Sequence, residues 1–324
     1  MTDHGAVDAT RKQPTKGSAL VAQQVVFGFG AHGTIDAGPE LLRLTRQADQ
    51  DGLDLFSLSD HPYVGERLDA YATLGFVIGR TERLAGFVNV SNLPTRPPAL
   101  LARAVTTLSA LSGGRVVLGL GVGGLWDRIT DLGVPRLTAG QAVDAFEEAI
   151  VLVKKLSGGG PPVTFEGVHY RVNRIDPAPV AAPPVWTGSV GPKSLAVTGR
   201  VADGWIPGHA ADWLSKRYRT SRPIIDQAAT AAGRDPRDIR TVYNLPGQIT
   251  TRPSSSTRDR EGRWLGGSVD QWIDELTGAV LEHGASGFVL FSPQGDTADL
   301  ASLQRWSGEI VPAVRAAIAK ERDH

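Results

Sequence analysis

The feature that most constrains this chain is an alternation: short β-branched or aromatic runs, each followed by a stretch with apolar residues at helical spacing. Val25–Gly30 reads as a buried strand ending in glycine. Pro39–Asp51 follows with Leu41, Leu42, Leu44 and Ala48 at helical spacing. Leu53–Leu58 is a second strand, Ala70–Ile78 a helix and Leu84–Ser91 a third strand. Pro97 opens a helix that runs to Leu111 and closes at Ser112-Gly113-Gly114, before a fourth strand at Val116–Leu120. Gly140–Leu156 is amphipathic, and Val163–Val172 alternates and turns at Glu166-Gly167, a hairpin inserted into the repeat. Strands at Val185–Gly188, Gly204–Pro207, Ile239–Ile249 and Phe288–Phe291 then alternate with helices at Ser194–Val201, Asp212–Ala232, Val269–Glu282 and Leu300–Ile318. Eight strands separated by helices predict a (β/α)8 TIM barrel, with an open doubly wound sheet as the alternative.

No stretch is rich enough in Pro, Gly or Ser to divide the chain, so residues 23–324 are expected to form one domain. Residues 1–22 are polar, without the apolar core of a signal peptide, and read as a disordered leader. Arg252–Arg263 is polar and lies between a strand and its helix, so it is expected to be a flexible loop, a lid over the barrel mouth. With 34 basic and 34 acidic side chains, the chain lacks the cationic excess that binding to nucleic acid or a membrane surface needs. It has no cysteine, which removes disulfides, thiolate metal sites and a cysteine nucleophile, and which fits a cytoplasmic protein. No run approaches the ~20 apolar residues of a membrane span.

Active sites of such barrels form at the carboxyl ends of the strands, and that rule selects four clusters. Asp60-His61 ends strand two: the imidazole can serve as a general base beside a carboxylate, or both can be satisfied structurally. Asn89–Arg96, leaving strand three, can point amide and hydroxyl groups into a pocket or simply build a turn. Gly119–Gly124, then Leu125-Trp126-Asp127, lets backbone approach a flat ring, though it lacks dinucleotide-fold spacing. Trp126 lines such a pocket or is core. Gly188-Ser189-Val190-Gly191-Pro192-Lys193 leaves strand five and opens a helix, whose free N–H groups suit a phosphate. The seven histidines are scattered without close metal-ligand spacing, so no metal is expected.

Together these segments resemble the luciferase-like flavin-dependent oxidoreductases. The matching stretches are Ser59–Pro62, Leu93–Asp127, FEGVHYRV from Phe165, Pro183–Trp205, and SVDQWIDEL with HGASGFVLF near the end. Gly-Val-Gly-Gly before Leu-Trp-Asp, and Gly-Pro-Lys after strand five, look most like the branch that uses the deazaflavin coenzyme F420. The resemblance implies a bacterial-luciferase-like TIM barrel with its flavin-type ring near the ends of strands two to four. His61 would exchange a substrate proton, oriented by Asp60. Val90-Ser91, with Asn92 beside it, would stand where the family often has a non-proline cis peptide. Gly121, Gly123, Gly124 and Trp126 would flank the ring, while Gly188, Ser189, Val190, Gly191 and Pro192 would hold the cofactor phosphate. Some deazaflavin dehydrogenases of the family carry an acid where this chain has Gly124, which argues against their sugar-phosphate mechanism.

The expected activity is hydride transfer between F420 and a small organic substrate, by a homodimer. Three rivals remain open. They are an FMN monooxygenase fed by a partner reductase, a non-catalytic flavin- or deazaflavin-binding protein, and a barrel hydrolase using Asp60 and His61 as metal ligands.

Overall fold

The computed structural model describes residues 25–295 and 297–322, so the leader expected over residues 1–22 lies outside the described residues. Eight parallel strands close on themselves: β1 (Val26–Ala31), β2 (Leu55–Leu58), β3 (Ala85–Val88), β4 (Val116–Gly121), β5 (Val185–Thr187), β6 (Gly204–Trp205), β7 (Arg240–Pro246) and β8 (Gly287–Phe291). The registers Phe29↔Phe56, Leu55↔Ala85 and Gly86↔Val116 run along one side, and Phe27↔Phe288 closes the ring. This is the predicted (β/α)8 barrel, not the open sheet.

The helices follow the strands in order: α1 (Gly38–Gln50), α2 (Ala70–Ile78), α3 (Pro98–Ser112), α4 (Ala139–Lys155), α5 (Pro192–Val201), α6 (Lys216–Ala231) and α7 (Val269–Leu281). Their starts are chemically marked. Asp69 caps α2 by accepting from the Tyr71 and Ala72 N–H groups, and Thr138 with Gln141 forms a capping box on α4. The last helical region, α8, is continuous in path but divides into Leu300–Arg305, a π turn and Val311–Arg322. The inserted hairpin pairs Val163–Glu166 with Arg171–Ile175.

Strand alternation sorts the apolar residues into two layers. Phe27, Phe29, Phe56, Leu118, Tyr243 and Phe288 pack outward with the helices. Val26, Leu55, Phe87, Val117, Trp186, Val242, Val289 and Phe291 fill the interior. Phe87 and Trp186 meet edge to face there, 5.3 Å between ring centroids, and both are fully buried. Gly30 makes room for this plug, because a Cβ there would overlap the Phe291 ring. Gly30→Ala is therefore expected to cost about 1–3 kcal/mol through overpacking, read as a lowered thermal midpoint. Below the plug, a separate cavity of about 400 Å³ opens at the amino end, beside Val26, Asp54 and Arg115.

Two expectations are corrected. The seventh strand does not run on to Ile249: it stops at Pro246, and Gln248–Thr250 pairs with Gly266–Ser268 in its own parallel ladder. The Arg252–Arg263 loop contributes no residue to the cavity at the barrel mouth. Arg258 holds it to the outer wall by pairing with Asp212 at 2.7 Å and with Glu275, its guanidinium lying near the Trp213 and Trp264 rings.

Candidate active site

A cavity of about 610 Å³ opens at the carboxyl ends of β2 to β5. It gathers Asp60, His61, Val90, Ser91, Asn92, Gly121, Gly123, Gly124, Trp126, Gly188, Ser189 and Val190 into one lining. The strand-end rule therefore brings all four sequence clusters to one place. Gly191 and Pro192 do not line the cavity; they form the N-cap and first turn of α5 just behind it.

Asp60 and His61 turn away from each other. The Asp60 carboxylate is buried and accepts from Arg96 Nε at 2.9 Å, Arg96 Nη2 at 2.7 Å and the Asn92 N–H at 2.9 Å. Burial opposes the charge on Arg96, but the hydrogen bonds and charge of Asp60 and then Asp69 outweigh it and raise the guanidinium pKa. Arg96 also lies over the Tyr71 ring, 4.8 Å from its centroid, and the Tyr71 hydroxyl meets Ser91 Oγ at 2.6 Å. Asp60 is thus the fastening of the β3 exit. It does not orient His61, because its oxygens are taken by a closer and charge-assisted partner.

His61 Nδ1 instead meets the Tyr63 hydroxyl at 2.8 Å. Nε2 has no protein partner among the described residues. Burial lowers the pKa of the half-buried imidazole; the positive charge of Arg67 lowers it further, and Asp60 opposes them. At neutral pH the ring is accordingly neutral.

Beyond β3 the chain resumes pairing at Ser91–Asn92, with Ser91↔Leu120 and Asn92↔Gly121. The non-proline cis bond lies between Asn89 and Val90, one bond before the expected position, because Ser91 is already back in the ladder. Val90 stands as a ridge between two glycines. A Cβ on Gly121 would come within 2.7 Å of Val90 Cγ2, and one on Gly188 within 3.0 Å. Gly123 has φ +99°, a backbone conformation that excludes most side chains, and its Cβ would press on Pro94 at 2.8 Å. Nothing lies within 4 Å of a Cβ on Gly124, so that wall is open. The buried Asn92 Oδ1 has no hydrogen-bond partner, and its residue lines the cavity. A ridge between glycines, with an unsatisfied acceptor beside it, suits a flat heterocycle carrying N–H or O–H donors.

At the β5 exit, Gly191 caps α5 without any side-chain bond, and Pro192 occupies the first turn. The approach to that helix is rigid. Ser189 Oγ accepts from Thr198 Oγ1 at 3.0 Å, and Trp205 Nε1 donates to the Ser189 carbonyl at 2.9 Å. Ser194, missed in the sequence, lines the cavity and donates to the Gly191 carbonyl at 3.0 Å. This uncapped start, with its dipole end and hydroxyls, suits a phosphate. Asn89 and Leu125, members of the second and third clusters, also line the cavity, whereas Tyr63 and the apolar Ala139, Ala142 and Val143 were missed. Tyr63 had a signal in its place two residues after His61; the others come from register and helix packing, which spacing does not reveal. Among the described residues, no group of three or more His, Asp or Glu side chains could hold a metal ion.

The chain is similar to known proteins along most of its length. The luciferase-like monooxygenase family profile matches residues 17–293. An F420-dependent glucose-6-phosphate dehydrogenase from Microbacterium testaceum is 30% identical over 240 residues, 71% of this chain and 70% of that protein. A phthiodiolone/phenolphthiodiolone dimycocerosates ketoreductase from Mycobacterium kansasii is 31% identical, over 70% of this chain and 58% of its own length. Among solved structures, an F420-dependent secondary alcohol dehydrogenase in complex with an F420-acetone adduct superposes with TM-score 0.75 at 18% identity, covering 90% of this chain and all of that one. The FMN complex of the oxygenating constituent of 3,6-diketocamphane monooxygenase from Pseudomonas putida gives TM-score 0.67 at 17% identity, covering 90% of this chain and 98% of that one. With its profile matched over most of its length, the chain belongs to the luciferase-like monooxygenase family.

Proposed function

We propose that this chain is an oxidoreductase that uses the deazaflavin F420 to exchange a hydride with a small organic substrate. The observation that carries the reading is that a single cavity joins the Val90 ridge, His61 and the uncapped start of α5. The named relatives and structural neighbours that use F420 support it.

In this reading Val90 and the facing glycines support the ring, Asn92 Oδ1 accepts from it, and the Gly188–Gly191 turn with Ser194 receives the phosphate. Bound deazaflavin supplies the hydride acceptor or donor. His61 Nε2 takes the proton of a substrate hydroxyl in oxidation and returns it in reduction. The open wall at Gly124 leaves His61 as the proton-handling group of the cavity.

Titration of the purified chain with F420 and with FMN, followed by fluorescence, tests the choice. Saturable F420 binding is expected. Tight FMN binding without F420 binding would overturn it and favour a monooxygenase supplied by a reductase. A homodimer is part of the proposal, supported by the exposed Leu100 and Leu111 on α3 and Phe76 on α2. A solution mass equal to one chain, by light scattering, counts against it. No described helix is long and apolar enough to cross a membrane. A cytoplasmic location is proposed from the absence of cysteine.

A further inference from the structure

We propose that Tyr63 is the positioning residue of the reaction: its hydroxyl rotates between donor and acceptor, and so holds His61 in place in both protonation states. The inference rests on the proton-handling role of His61 given above. Tyr63 lines the cavity, and its oxygen lies 2.8 Å from His61 Nδ1, an ordinary hydrogen-bond length. The rings are tilted by 58° with centroids 5.6 Å apart, so the contact is made edge to edge and not by stacking. The Tyr63 carbonyl is tied down by Arg128 Nη2 at 3.0 Å, which fixes the loop that carries it.

No carboxylate competes for this place. Asp60 lines the same cavity but is occupied by Arg96 and the Asn92 N–H. The other charged or titratable groups acting on His61 are Arg67 and His32, and both act on it through their charge. The usual partner of a catalytic imidazole, a carboxylate, only accepts, and fixes the proton on Nδ1. A phenol both donates and accepts. In oxidation, neutral His61 donates Nδ1–H to the Tyr63 oxygen while Nε2 takes the alcohol proton. The carbon that bears that hydroxyl would give its hydride to a bound deazaflavin, and the imidazolium is then held by the Tyr63 oxygen. In reduction the hydride arrives at the carbonyl carbon, Nε2–H passes to the carbonyl oxygen, and the ring returns to neutral. When Nε2 carries the proton of the neutral ring, the hydroxyl turns and donates to Nδ1. Burial and then the charge of Asp60 raise the pKa of the phenol, so Tyr63 keeps its own proton throughout.

The experiment is nitrogen-15 NMR titration of the full chain, without cofactor, in the wild type and in Tyr63→Phe, with His61→Ala to assign the signals. Wild-type His61 should show a hydrogen-bonded Nδ1. In Tyr63→Phe the titration midpoint should move to lower pH, because the imidazolium loses a stronger bond than the neutral ring does. Identical midpoints and tautomers in the two proteins would overturn the proposal. Should Tyr63→Phe fail to fold, fluorotyrosine incorporated at all five tyrosines keeps the contact but weakens the oxygen as acceptor. The midpoint should again fall, and an unmoved midpoint overturns the proposal. These readings need no turnover, so a failure of the F420 assignment is seen separately, in the cofactor titration. With F420 and a substrate, kcat should drop about tenfold in Tyr63→Phe with KM little changed, as expected for a lost orienting bond.

Discussion

Arg96→Met is expected to lower the stability of the folded chain by about 3 kcal/mol, the low end for breaking a buried ion pair, since the guanidinium keeps some contact with solvent. The Asp60 side chain is only 1% exposed against 18% for Arg96, so the carboxylate is the group left stranded. Two hydrogen bonds would go at once, and the third, from the Asn92 N–H, cannot carry the charge alone. Asp60→Asn should be milder, because an amide oxygen still accepts from Asn92 and carries no charge to desolvate. Thermal melting of both variants reads the difference, at roughly 2–4 °C per kcal/mol for domains somewhat smaller than this one. If Arg96→Met melts with the wild type, the fastening role of the pair is wrong. Because Asn92 and Ser91 are set by this network, cofactor affinity should weaken in the same variant.

His61→Gln is expected to reduce kcat by about a hundredfold to ten-thousandfold, the usual worth of a positioned acid or base, with F420 affinity changed little. The pH dependence follows from the sign of the shift. Oxidation needs the neutral ring, and burial together with Arg67 lowers its pKa from the ordinary 6.5, so the ring remains neutral into more acid solution. The acid limb of the oxidation profile should therefore lie below pH 6.5, while reduction, which needs the protonated ring, should decline at pH values where a free histidine would still be partly charged. An acid limb above pH 6.5 in oxidation contradicts the assignment, as does a His61→Gln enzyme of wild-type rate.

The barrel was legible because both of its layers are written in period: Val26, Gly28 and Gly30 point one way and Phe27, Phe29 and Ala31 the other, and α1 repeats at helical spacing. The hairpin was legible from alternation interrupted at Glu166-Gly167. Three of the four clusters were identified from glycines and turn residues placed at strand ends, and the structure brings them together as a lining. What escaped was partner choice. Adjacent in sequence, Asp60 and His61 look like a dyad, yet the backbone turns them apart, and Arg96, 36 positions on, claims the carboxylate. Likewise Arg258 reads as a loop cation, and only the folded chain shows Asp212 and Glu275 drawing it to the wall. Long-range charge pairing leaves no period in a sequence.

The Trp186–Phe87 plug has a kinetic meaning. It separates the amino-end cavity from the reaction cavity and makes the latter a cul-de-sac. A coenzyme ring held against Val90 would lie on the cavity side of this plug. The filled lumen thus leaves the carboxyl-end opening, and no passage through the barrel, as the way in for coenzyme and substrate alike.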